Sequence, residues 1–563
     1  MTISARSILA MWMAMSLLSC RPKEDPIPGE GAVTPERGGI LRFASFANLR
    51  TIDPPTISEA LSSEIAVLMF AGLVDFDYSG KIVPELAESF TVSPDGLRYN
   101  FVLRPNVLFH DGSLLTVADV KRSFERALHP KTPNPASSLY HSIVGYKEFS
   151  EGTATSLRGV RLVSDREVEI ELVAADATFM PAMALATTRP VCPSAGSLYD
   201  PSWHPCGTGP FKMPPGGWNR GTSITLTRHD GYFRPGLPYL DGVVTSFNVH
   251  QGTQRYKFAR GEQDIFRDLT VSDGFFFAEH PKWKHLVQNG PFVSVWGESL
   301  NTELPPFDNV EMRRAVSSAI QRDVIARLRP HNMKPWGRPI PPGLPGADAG
   351  EKTQGYDFEK ALEHMKNAGY PYDPKTGKGG YPHRLSYVTY RQGLSENSAQ
   401  LVQQDLAKIG IHLDLKIVSY PTYLTLTQER KRSVISPQGW SQDYPDALDF
   451  YDALFTTGSI QDSGSPNSSF YSNEAYDRSL ANAKKESAFS ARQKFYAEAN
   501  DRVVEDAPWA FEYTYRFINV HQAYVRNFRP HPMWDRYVVE TWLDRKSLRK
   551  KDQSLALMGK LTQ

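Results

Sequence analysis

"GLVDFDYSGKIVPELAESFTVSPDGLRYNFVLRPNVLFHDGSLLTVADVKRSFERALHPKT", residues 72–132, carries two structural periods side by side. Its part SFTVSPDGLRYNFVL (89–103) reads as two strands around a Pro-Asp-Gly turn, since Pro94 presets φ and Gly96 tolerates the turn's backbone. Thr116–Leu128 then changes to helical spacing. Thr116 and Asp119 stand in capping-box positions, and Val117, Val120, Phe124 and Leu128 fall on one face. Downstream, GVRLVSDREVEIELV (159–173) alternates Val160 and Leu162 with Val168, Ile170 and Leu172 about Ser164 and Asp165. Locally paired strands around a helix make this block α+β.

The flanking sequence reads differently. GGILRFAS (38–45) is a short strand, followed by Ile57, Leu61, Ile65, Leu68 and Met69 at helical spacing, the opening of an α/β unit. Beyond residue 300 helices and strands alternate. A helix is expected from the cap Asp308, another over Asp357–Gly369, and a third ending on Gly410 ahead of the alternating Ile411, Leu413, Leu415 and Ile417. An α+β block therefore sits inside an α/β chain. The 563 residues exceed one ordinary core and suggest about three packed units. With 63 Lys plus Arg against 62 Asp plus Glu, no net field favours nucleic acid.

The start of the chain has the form of an export signal. Arg6 precedes an apolar run, Ile8–Leu18, too short to span a bilayer but suited to a signal h-region. The run closes on LLSC, which resembles the lipobox of bacterial lipoproteins and implies Cys20 as a lipid anchor; an ordinary signal peptide with an incidental cysteine is the alternative. Residues 21–37, rich in Pro, Gly and charge, read as a tether. The remaining cysteines, Cys192 and Cys206, suggest a disulfide in an exported chain, with two thiols or a metal site near His204 as alternatives.

Catalytic signatures are missing: no HExxH, no GxSxG, no zinc spacing of Cys and His. Asp443 and Asp446 lie three residues apart on one segment, unlike glycosidase carboxylates on facing elements. That segment, GWSQDYPDALDF (439–450), sets Asp443 between Trp440 and Tyr444, whose rings favour removal from water. Asp446, ahead of Ala447, Leu448 and Phe450, is the better helix cap.

GGILRFAS…TIDP (38–54), the stretch 72–132, GTGPFKM (207–213), GEQDI (261–265), PPFDNVEMRRAVSSAIQRDVI (305–325) and GWSQDYPD (439–446) resemble, in order, the bacterial extracytoplasmic solute-binding proteins of the peptide/nickel class. The resemblance covers about 38–545. It implies an α/β, two-lobed periplasmic-binding-protein-like fold of type II with an extra α+β domain inserted in the first lobe. Lobe one would take 38–82, 200–303 and 519–546, the insertion 83–199, and lobe two 304–518, with crossings near 303 and 518; residues 547–563 would be a basic tail. The implied function is a binding protein without catalysis, cofactor or metal. It would be a monomer in the periplasm or at the cell surface that delivers a peptide to the membrane-embedded subunits of an ABC importer. Same-fold receptors for nickel chelates, oligosaccharides or other amines are the alternatives, as is an orphan sensing or chaperone-like protein with no importer.

The resemblance also implies a site. Gly439, Trp440 and Asp443 match the GWxxD motif of peptide-binding relatives, whose aspartate pairs with the ligand's α-ammonium; Asp443 as a turn cap is the alternative. Trp440 is expected as a stacking wall and Gly439 as a place where ligand backbone approaches. Arg391 is expected to meet a ligand carboxylate, and Tyr140 to reach the cleft from the insertion. Ser441 stands where some oligopeptide binders have a disulfide cysteine.

Overall fold

In the stretch 72–132 the two periods separate as the sequence dictates. Ala87–Val92 and Arg98–Leu103 pair antiparallel across a turn in which Gly96 takes φ +69°. Glu167–Glu171 and Val160–Leu162 complete a four-stranded sheet. The helix Val117–Leu128 starts on a reciprocal capping box: the Thr116 hydroxyl accepts the Asp119 N–H at 3.4 Å, and the Asp119 carboxylate accepts the Thr116 N–H at 2.9 Å. Its apolar face packs with Phe101, Val168 and Ile170 in one buried cluster. The computed structural model describes residues 34–196, 204–391, 394–486, 488–534, 538–544 and 546. Cys20, the leader 1–20, most of the tether and the tail 547–563 lie outside the described residues.

The insertion is an excursion from one lobe, because the strands on either side of it pair with each other. Ile40–Ala44 runs parallel to Gly242–Ser246, which is antiparallel to Ser223–Arg228. Cys192 and Cys206 are joined as a disulfide, with Cα atoms 5.4 Å apart. Two arginine anchors tie the insertion to this lobe. Arg126 forks onto the Asp53 carboxylate at 2.8 and 2.9 Å, and the fully buried Arg189 pairs with Asp75 at 3.4 Å and donates to Phe70 O at 2.6 Å.

A seven-stranded sheet forms the second lobe and extends into the first, in the order Ile265–Phe266, Trp509–His521, Val287–Leu300, Ile435–Ser441, Leu385–Tyr390, Leu413–Val418, with Met333–Pro335 beside Trp509–His521. Two of these strands are unusually long, at 14 and 13 residues. They run antiparallel from the second lobe into the first, where His521 pairs with Ile265. Their register slips between Asn289 and Phe292 and between Phe292 and Ser294, so the ladder is locally open where the chain passes between lobes. A third slip leaves Glu512 as the extra residue opposite Trp296 and Gly297. Gly297 suits it: a Cβ there would stand 2.4 Å from Ala510 O.

One helix boundary differs from expectation. Asn309, not Asp308, caps the helix Val310–Ala319, because the Asn309 side chain accepts the Glu311 N–H at 2.9 Å; a separate short helix, Arg322–Ala326, follows. Asp357 caps Phe358–Asn367 as expected.

Glu298 and Glu512 lie buried side by side at the bulge, and the Tyr387 hydroxyl donates to Glu298 at 2.8 Å. Burial pushes Glu298 up to about 7, and burial with the Glu298 charge pushes Glu512 well above the usual carboxylate range. Protonated in the fold and ionised when unfolded, such groups destabilise the fold as pH rises from the ordinary carboxylate range through the folded values. Glu512→Gln is expected to gain on the order of 1 kcal/mol relative to the parent at pH 8 compared with pH 5.5, measured by thermal unfolding. An equal difference at both pH values would contradict this.

Candidate ligand-binding site

The strand Ile435–Ser441 delivers the loop 441–446 to the junction of the lobes, with Trp440 opposite Val295 and Gly439 opposite Trp296. The helix that follows, Ala447–Phe455, is capped by Asp446, whose carboxylate accepts the Leu448 N–H at 3.0 Å. Arg492 at 2.8 Å and the Tyr496 hydroxyl at 2.6 Å complete its shell, so Asp446 is bound into the second lobe. Asp449, one turn on and buried, accepts both the Trp440 indole N–H at 3.1 Å and the Asp443 backbone N–H at 3.0 Å through one oxygen. That carboxyl shapes the loop.

A cavity of about 540 Å³ opens beside the loop. The first lobe supplies Ile57–Ala60, Ser63, Glu64, Arg267 and 531–534; the insertion supplies Pro135, Ala136, Ser138, Leu139 and Leu185–Thr187. The crossing strands supply Gly290, Pro291, Val293 and Phe517, and the second lobe Ser441, Gln442 and Asp443. Every part of the fold thus contributes wall, and the volume suits a small ligand. The Gln442 amide donates to Pro532 O at 2.8 Å, joining the loop to the first lobe. The Trp534 indole N–H donates to Asp75 at 2.9 Å, with the Arg189 guanidinium 5.6 Å from its ring, so this wall is rigid.

The lining is acidic. Glu59 caps the helix Ala60–Met69, accepting the Ser62 N–H at 3.0 and 3.1 Å; Glu64 forms an ion pair with Arg267. His531 is kept neutral by burial, and its Nδ1 accepts the N–H groups of Met533 and Trp534, each at 3.1 Å. Asp443 faces the cavity and is accessible from it, yet protein surrounds it on the other sides, and this desolvation pushes its carboxyl up to about 6. Among the described residues no cation stands at ion-pair distance from it. Asp449 is held well above the carboxylate range by burial and by the Asp443 charge, which keeps it neutral beneath the loop.

The other residues singled out from sequence stand elsewhere. The space above Gly439 is filled by the Trp296 indole, 2.4 Å from where a Cβ would lie, so its small size admits Trp296 rather than ligand backbone. Trp440 packs against the second lobe's buried cluster and is not part of the cavity lining. Tyr140 is fully buried in the insertion, its hydroxyl donating to Ala182 O at 2.8 Å; its neighbours Ser138 and Leu139 face the cavity instead. Arg391 ends the strand Leu385–Tyr390 with its side chain 79% exposed and 3.9 Å from Glu396. Of the expected site residues, Asp443 alone lines the cavity. Arg267, Glu59, Glu64 and Asp449 were not singled out; the one available signal for Asp449 was its spacing, a single helical turn beyond the cap Asp446.

Comparison with known proteins follows the same outline. Residues 81–462 match the family described as "Bacterial extracellular solute-binding proteins, family 5 Middle". The glutathione-binding protein GsiB of Pectobacterium atrosepticum is 27% identical over 495 residues, covering 86% of this chain and 90% of that protein. The ABC transporter-associated periplasmic binding protein DppA from Helicobacter pylori, solved with the peptide STSA, superimposes with TM-score 0.73 at 24% identity, over 90% of this chain and 99% of that one. AgaA from A. tumefacien R10, solved with agropinic acid, gives TM-score 0.71 at 25% identity, over 90% and 99%.

Because a neutral Asp449 acts as an acceptor, Asp449→Asn is expected to leave stability within about 1 kcal/mol of the parent. Asp449→Ala, which strands the Trp440 and Asp443 N–H groups, is expected to cost about 1–3 kcal/mol in urea unfolding. Equal costs for the two variants would remove the acceptor role.

Proposed function

The chain belongs to the bacterial extracellular solute-binding proteins of family 5, and we propose that it is a receptor for short peptides carrying a free amino terminus, which it hands to an ABC importer. Its relatives are binding proteins, not enzymes. One observation carries the reading: the Asp443 carboxylate faces a cavity walled by both lobes and the insertion, with no protein cation beside it among the described residues. An ammonium enclosed with it forms a charge-assisted hydrogen bond, worth about 1.5–3 kcal/mol, while a neutral group leaves the carboxylate desolvated and unpaired. The acidic lining contributed by Glu59 favours the same sign of ligand charge. A ligand touching Asp443 on one lobe and the 57–64 and 531–534 walls on the other stabilises the closed arrangement by its differential contacts.

The ligands named for two of these relatives support this class. GsiB is named for glutathione, a tripeptide, and DppA was solved with STSA. The lipobox at Leu17–Cys20 supports anchoring of the exported chain through a lipid on Cys20, and none of the described helices is long and apolar enough to cross a membrane.

Calorimetry with a mixed tripeptide library is expected to show heat of binding with free amino termini and a loss of ten- to hundredfold when the amines are acetylated or when Asp443 is replaced by Asn. Equal binding of acetylated and free peptides by the parent protein would overturn the reading. The sign of the pH dependence follows from the raised carboxyl of Asp443, about 6, set among Asp449, Glu59, Glu64, Arg267 and His531. The ionised form binds, so affinity rises from pH 5 to pH 7.5. The loss at pH 5 is about tenfold, because roughly a tenth of Asp443 is then ionised; Asp443→Asn is expected to flatten the profile.

A further inference from the structure

We propose that Tyr444 is a latch between the lobes: its ring, carried on the second lobe's loop 441–446, docks into the first lobe and the insertion and holds the cavity closed before a ligand enters. Tyr444 is 4% exposed and belongs to the buried cluster that contains Phe76, Phe101, Val168 and Trp534. Every other residue of that cluster comes from the first lobe or the insertion, so a second-lobe side chain is buried in the opposite core. The residues beside it cross with it. Pro445 lies against the turn that joins Val74–Phe76 to Ile82–Pro84, where a Cβ on Gly80 would stand 3.3 Å from the Pro445 ring. On the other side the Gln442 amide donates to Pro532 O at 2.8 Å. A second bridge runs the opposite way: the Ala177 N–H of the insertion donates at 2.9 Å to Lys484 O, near the end of the second-lobe helix Glu474–Lys485, and Ala177 packs on that lobe's buried cluster.

Tyr444, Pro445, Ala177 and Lys484 are not part of the cavity lining, so their contacts need nothing bound. Separating the lobes would return the tyrosine ring to water and break the Ala177–Lys484 bond, and the lost apolar burial opposes opening. Surfaces between domains of one chain are loose unless they bury a large or apolar area, and a single enclosed aromatic anchor changes that balance. The consequence for binding is arithmetic. A ligand that bridges the lobes has its affinity reduced by the fraction of empty protein that is not yet closed. A latch that raises the closed fraction therefore strengthens the binding of every ligand by the same factor, while selectivity stays with the groups that touch the ligand. Tyr444 also adjoins Asp443, so docking of the ring sets that carboxylate opposite the first-lobe walls. It acts as a positioning residue.

The test uses the full chain, freed of bound ligand by unfolding in guanidinium and refolding, and small-angle X-ray scattering of the empty protein. The parent is expected to show the radius of gyration of the closed structure, Tyr444→Ala a larger one, and Tyr444→Phe, which keeps the ring, the parent value. Should Tyr444→Ala fail to fold, Gln442→Ala is expected to expand the empty protein in the same direction by less. An empty parent as expanded as the variant would overturn the latch. In calorimetry with a mixed tripeptide library, Tyr444→Ala is expected to bind about tenfold more weakly, with the ratio between free and N-acetylated peptides unchanged. A changed ratio would place Tyr444 in contact with the ligand and contradict its role as a latch. The calorimetric arm rests on the reading of the cavity as a peptide site and the scattering arm does not. If no peptide binds in any variant that reading falls, while expansion of the empty Tyr444→Ala protein still supports the latch.

Discussion

The antiparallel pairing of Val287–Leu300 with Trp509–His521 is the constraint on which the remainder depends. These strands are continuous through both lobes, so the sheet of the second lobe and the Ile265–Phe266 strand of the first share one ladder. Most of the ladder is regular, and its slips fall at Asn289–Ser294, where Gly290, Pro291 and Val293 become cavity wall. A broken ladder bends at lower cost than a regular one. The open part of the ladder and the cavity therefore coincide, and a ligand in the cavity touches the strands that link the lobes.

The second organising feature is electrostatic. The structure keeps several carboxyl groups away from water, and each is provided for differently. Asp446 has Arg492 and Tyr496, Glu64 has Arg267, Asp449 is neutral and accepts two N–H groups, and Glu298 and Glu512 share their burial with Tyr387. Asp443 differs in facing the cavity with no protein cation beside it among the described residues. Asp443 keeps the solvent of the open cavity on one side while protein on the others raises the cost of its charge, and a cationic ligand that closes off that solvent offsets the cost only in the complex. Selectivity for an amine then needs no large contact area.

Much of the fold was legible because its periods are local. The hairpins around Ser93–Gly96 and Ser164–Asp165, the Thr116 capping box and the Asp357 cap are set by residues a few positions apart, and they formed as read. The Asp308 cap was misplaced by one residue because Asn309, with an equally suitable acceptor, stands beside it. The site was harder to read. Asp443 was visible as a carboxylate between aromatic rings, whereas Gly439 and Trp440 owe their positions to Trp296 and Asp449, contacts made across the sheet or inside the second lobe. Tyr140 shows the limit of motif matching: its segment reaches the cavity, but the side chain points to the insertion core while Ser138 and Leu139 face the ligand space. Arg267 could not be found from spacing, since its partners Glu64 and Phe517 are remote in sequence.

The pairing of Asp443 with a ligand cation can be measured through its proton. At pH 6 about half of the Asp443 carboxyls are protonated in the empty cavity, and capture of an ammonium drives them to the ionised form. Calorimetry of peptide binding at pH 6 in buffers of different ionisation enthalpy should then report net release of a substantial fraction of a proton per ligand, and the release should vanish in Asp443→Asn. Binding heats independent of the buffer, or net proton uptake, would contradict a cation at Asp443.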